Sequence, residues 1–121
     1  MAYDPENIFA KILRGEIPCD KVYEDDMVLA FKDIRPQCPV HVLVIPKGPY
    51  LDIGDIAANG RHGEMGALMR GVAEVAKITG VDKTGYRVLV NNGPDGGQEV
   101  PHLHLHVVGG RRVGLMVTQP D

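Results

Sequence analysis

A chain of 121 residues is long enough to bury one core and too short for two. Its 13 basic and 16 acidic residues leave a formal net charge of -3 with the basic residues scattered, which argues against a nucleic-acid groove and against an anionic membrane surface. No apolar run approaches a membrane span, and the first residues carry Asp4 and Glu6 without an apolar leader, so a cytoplasmic protein is expected.

In chain order, a short helix is expected over residues 5–13, with Pro5 in its first turn and Ile8, Phe9, Ile12 and Leu13 as an apolar face that Gly15 ends. Strands are expected over residues 21–24, 27–33 and 40–46; the last is an almost unbroken apolar run that suits a central strand. Phe31 and Asp33 share one face. A long helix is expected over residues 61–79, where Met65, Leu68, Met69, Val72 and Ala76 recur at helical spacing, so the methionines read as core and Gly80 as the cap. Strands over residues 85–91 and 103–109 complete a single α+β domain over residues 1–121, an antiparallel sheet with the long helix on one face. Cys19 and Cys38 lack a Cys-x-x-Cys spacing and are expected to be free thiols.

His102, His104 and His106 alternate with Leu103, Leu105 and Val107. On a strand, that alternation puts three imidazoles on one face and the apolar residues on the other. An imidazole serves as metal ligand, proton carrier or nucleophile, and the spacing leaves a three-histidine zinc site open beside the other two. The loop before them, Asn91-Asn92-Gly93-Pro94-Asp95-Gly96-Gly97-Gln98, has three glycines and a proline in eight residues. Such a loop can turn amides toward a phosphate, with Asn91 and Gln98 as side-chain donors; an ordinary hairpin connection has the same composition.

The stretch from Gly96 to Arg111 resembles the histidine triad family, whose signature is His-x-His-x-His followed by two apolar residues. Gly96-Gly97-Gln98 before the triad and Gly109-Gly110-Arg111 after it are similar to the Hint branch, the nucleoside phosphoramidases. So are Phe9-Ala10-Lys11-Ile12, Gly15-Glu16-Ile17-Pro18, Phe31 to Gln37 and Pro39 to Lys47. The resemblance implies a HIT-like fold: a five-stranded antiparallel sheet with one long and one short helix, joined into a ten-stranded sheet in a homodimer. It also implies hydrolysis of the P–N bond in purine nucleoside 5'-phosphoramidates of the AMP-lysine or AMP-NH2 type, through a nucleotidyl-histidine intermediate and with neither metal nor cofactor.

By resemblance, His104 is the nucleophile, with His41, His102 and His106 in the catalytic network. Asp33, Ile34, Asn91, Gly97, Gln98, Glu99, His104 and His106 bind the nucleotide, Asp33 through the ribose hydroxyls. Ile8, Phe9, Ile12, Phe31 and Leu43 offer a slot for the base, although apolar residues fit a core equally well. Glu99 stands where several relatives carry serine, and it is expected to turn outward, contact the leaving group or hold a proton. Paired N-terminal cysteines that hold zinc in some members are absent from Asn7-Ile8-Phe9-Ala10, and residues 113–121 diverge and lack a tryptophan. Three alternatives remain: a dinucleoside polyphosphate hydrolase or nucleotidyltransferase of the same superfamily, a zinc-dependent protein, and a nonenzymatic nucleotide-binding dimeric module.

Overall fold

The computed structural model describes residues 2–117, so the last four residues of the divergent C-terminal segment lie outside it. The elements run α1 (Ile8–Leu13), β1 (Lys21–Glu24), β2 (Val28–Lys32), β3 (Val40–Pro46), α2 (Ile53–Asn59), α3 (Glu64–Thr79), α4 (Val81–Thr84), β4 (Tyr86–Val90) and β5 (Leu105–Gly109). The strands form one sheet in the order β1-β2-β3-β5-β4, every neighbouring pair antiparallel. The last strand therefore inserts between β3 and β4.

Strand alternation sorts the core into two layers. Val28, Ala30, Val42, Val44, Leu105 and Val107 face α3, which contributes Ala67, Leu68, Val72, Val75 and Ala76. Leu29, Phe31, Leu43 and Ile45 face the other way, where Phe9 of α1 covers them. Gly71 lets α3 lie close to the sheet, because a Cβ there would stand 3.1 Å from Val28 and 3.2 Å from Val44.

Several local expectations need correction. α1 starts at Ile8 and excludes Pro5, because Asn7 is the cap: its side chain accepts from the Ala10 amide at 2.9 Å and donates to the Asp4 carbonyl at 2.7 Å. Met65 and Met69 are not core within the chain; they are 52% and 55% exposed. Small residues at Ala67 and Gly71 set the buried stripe of α3, so the apolar count along one face misplaced it. Two short helices were not anticipated. α2 buries only Ile56 and so carries no periodic stripe, while α4 is a single turn after Gly80, whose φ of +83° ends α3. Cys19 and Cys38 are free. Among the described residues no helix is long and apolar enough to cross a membrane.

Candidate active site

Register builds the site on the face opposite α3. Leu43 pairs with Phe31 on one side and His106 on the other, and His41 pairs with Val108. Asp33 continues the β2 line, its amide donating to the His41 carbonyl at 3.0 Å. Val90 pairs with Leu105, so Asn91 at the end of β4 comes alongside His104. The expected strand over residues 103–109 is two residues too long, because β5 begins at Leu105 and only His106 of the triad lies on it. His102 sits in a turn closed by its amide on the Val100 carbonyl, and Leu103 is tied to the Tyr50 carbonyl, both at 2.8 Å. The alternation still holds, with Leu103, Leu105 and Val107 in the α3 layer.

The tautomer of each ring follows from its partners. The Gln37 amide donates to His41 Nδ1 at 3.0 Å, so His41 carries its proton on Nε2. That nitrogen lies 2.9 Å from His106 Nδ1 and 3.4 Å from Asp33 Oδ2. His106 Nδ1 accepts, which leaves the proton of His106 on Nε2, a buried atom with no hydrogen-bond partner among the described residues. His104 Nδ1 lies 2.7 Å from the His102 carbonyl, an acceptor only, so it is protonated and Nε2 keeps its lone pair. His102 Nε2 donates to the Pro46 carbonyl at 2.9 Å, and its Nδ1 accepts from the Tyr3 hydroxyl at 2.8 Å.

All four rings are held neutral. Burial pushes His102 and His106 down to about 4, and lowers His41 and His104 as well. The Asp33 carboxylate opposes the shift at His41, His104 and His106, and Glu99 opposes it at His104.

These contacts bear on whether the side chains suit a metal. Both nitrogens of His102 are engaged, so the triad cannot act as three zinc ligands. Asp33, His41 and His106 do bring three potential ligand atoms within 4.8 Å of one another. His41 Nε2 is nevertheless protonated, and a ligating imidazole nitrogen must be bare. The set fits a proton network and does not fit a cation.

The Gly-rich loop differs from expectation. Gln98 is buried, and its side-chain amide donates to the Leu51 carbonyl at 2.7 Å and the Val100 carbonyl at 3.1 Å while accepting from the Gly93 amide at 2.9 Å. The amides of Gly97 and Gln98 close turns onto the Pro94 and Gly93 carbonyls, each at 3.0 Å. Gly97 and Gln98 are thus braces, their donors turned inward to let the loop fold on itself. Gly96 is required by sterics, since a Cβ would meet the Asn92 carbonyl oxygen. The Glu99 and Val100 amides have no acceptor among the described residues. Glu99 is exposed.

Of the expected base slot, Phe9, Phe31 and Leu43 are buried, Phe9 meeting the His104 ring edge-on with centroids 4.9 Å apart. Ile12 is half-buried; Ile8 and Ile34 are exposed, Ile34 to 88%.

The HIT domain family model matches residues 14–113. The chain belongs to the HIT-domain family. It is 56% identical to an uncharacterized 13.2 kDa HIT-like protein of Azospirillum brasilense over 97% of this chain and 96% of that one. It is 44% identical to the purine nucleoside phosphoramidase of Escherichia coli K12, over 93% of each chain. A crystal structure of a HIT family hydrolase from Legionella pneumophila superposes with a TM-score of 0.84 at 40% identity, covering 90% of this chain and 96% of that one. The five-stranded antiparallel sheet is that of its HIT-fold neighbours.

The structure of this HIT domain places His41, Asp33, His104 and His106 in one cluster, with the carbonyl of His102 on the His104 ring. The sequence reading missed Tyr3, Gln37 and Pro46, which fix the tautomers of His41 and His102, and Arg111, whose guanidinium holds the Gln37 carbonyl at 2.9 Å. Gln37 and Pro46 act through backbone groups, which leave no side-chain signal. Tyr3 lies 99 residues from the ring it meets.

Proposed function

We propose that this HIT-domain chain is a nucleotide hydrolase that cleaves the P–N bond of purine nucleoside 5'-phosphoramidates and releases the nucleoside monophosphate. The observation that carries the reading is the His104 ring: Nδ1 is tied to a carbonyl, and Nε2 is left as a lone pair beside the unpartnered N–H of His106. A neutral imidazole in that state attacks phosphorus without prior deprotonation. His104 Nε2 attacks the α-phosphorus as the P–N bond breaks, the leaving nitrogen takes a proton from solvent and departs as the amine, and the His102 carbonyl stabilises the positive charge that the substituted ring acquires. His106 Nε2–H donates to a non-bridging oxygen, a preorganised donor where charge develops. Water then cleaves the nucleotidyl-histidine. Asp33 accepts from the ribose hydroxyls, Ile8 and Ile34 line the base, and exposed Glu99 faces the departing amine.

The same proposal includes a cytoplasmic homodimer of single-domain protomers, joined along β4 into a ten-stranded sheet. Supporting it, β4 is an edge strand with Tyr86 and Val88 exposed, and Met65, Met69 and Ile78 of α3 are exposed apolar side chains.

The deciding experiment follows AMP release from adenosine 5'-phosphoramidate in a chelator. The wild type is expected to turn over at an unchanged rate, and His104→Ala to lose activity by about 1,000-fold or more, as for loss of a covalent nucleophile. Turnover abolished by the chelator, or an acid-labile nucleotidyl adduct that persists in His104→Ala, overturns the reading.

A further inference from the structure

The His102 ring is fully buried and is pinned at both nitrogens, by the Pro46 carbonyl at the end of β3 and by the Tyr3 hydroxyl from the segment before α1. Its backbone carbonyl, not its ring, meets His104 Nδ1. His102 therefore works on the nucleophile through the placement of its own peptide group, and that placement depends on what holds the ring.

We infer that Tyr3 is a positioning residue for His104: its hydroxyl locks the His102 ring and thereby fixes the carbonyl that orients the nucleophile. The inference rests on the proposed role of His104. Because the Pro46 carbonyl takes the Nε2 proton, Nδ1 of neutral His102 can only accept, and Tyr3 is the one donor that meets it among the described residues. The other ring beside His102 is Phe9, at a centroid distance of 6.4 Å, which offers no donor. Without the hydroxyl a buried acceptor is left unpaired, and the ring gains by rotating toward other partners. Such rotation drags the turn at Val100–His102 and loosens the 2.7 Å contact to His104.

The test compares Tyr3→Phe and Tyr3→Ala with the wild type by steady-state hydrolysis of adenosine 5'-phosphoramidate and by 15N NMR of the histidine rings. Both variants are expected to lose about tenfold in kcat, the rate equivalent of one unpaired buried acceptor, with KM within about twofold. The His102 Nδ1 resonance should move to the position of a bare nitrogen without a donor, and His104 should populate both tautomers. Full kcat in Tyr3→Phe, with loss only in Tyr3→Ala, would assign Tyr3 to packing and overturn the inference, as would unchanged ring resonances in Tyr3→Phe. If the wild type fails to hydrolyse the substrate, the functional reading falls; the NMR comparison still decides whether Tyr3 sets the two rings.

Discussion

Burial penalises the His104 cation and lowers its pKa from the ordinary histidine value, while the His102 carbonyl, Asp33 and Glu99 pull the other way. With the neutral ring as the proposed nucleophile, kcat/KM is expected to stay flat as pH falls through about 6.5 and to drop only at lower pH; a pH–rate profile checks this. Asp33→Asn removes a charge that raises His41, His104 and His106, so the acid limb should move to lower pH, while loss of the proposed ribose contact should raise KM. Gln98 makes a different prediction. Gln98→Ala breaks three hydrogen bonds around the loop and should lower stability by about 2 kcal/mol in a denaturant titration, which a surface phosphate donor would not do. The histidines and Asp33 were legible because their chemistry resides in the side chain itself. The direction of each proton was not, because a backbone amide at Gln37, carbonyls at Pro46 and His102, and a distant hydroxyl decide it.

At the scale of elements, α3 offers two glycines with opposite expectations. A Cβ at Gly66 meets only the far end of the Arg70 side chain at 3.2 Å, so Gly66→Ala should stabilise the chain by up to ~1 kcal/mol through helix propensity. At Gly71 the added methyl meets two valines fixed in β2 and β3, and overpacking there costs about 1–3 kcal/mol, more than the propensity gain. Thermal melts of the two variants should therefore shift in opposite directions. The strands and α3 were legible because alternation and apolar runs are long enough to specify a period. The buried face of α3 was not: its stripe relies on alanine and glycine, whose contribution is closeness to the sheet rather than hydrophobicity. α2, with one buried side chain, has no period to read.

For the whole molecule, four neutral histidines, three of them buried and His106 half-buried, set the acid response. An unfolded histidine titrates near 6.5, whereas His102 and His106 are held at about 4 and His41 and His104 are also lowered. Below about pH 6.5 the unfolded chain binds more protons, so the stability present above that pH is lost as pH falls toward 4. Unfolding free energies measured from pH 7.5 to pH 4.5 should decline by a few kcal/mol across this window, at ~1.4 kcal/mol for each pKa unit. The sheet order β1-β2-β3-β5-β4 carries a consequence for synthesis. A nascent chain that ends before residue 105 has made β3 and β4 but not the strand that joins them. Until β5 emerges from the ribosome, the apolar Val40–Pro46 strand presents an unpaired backbone edge, an invitation to aggregation that chaperones must cover. Truncations at the C-terminal end should accordingly be tolerated down to the residues after Gly109, and then fail abruptly, because the next loss splits the sheet down its middle.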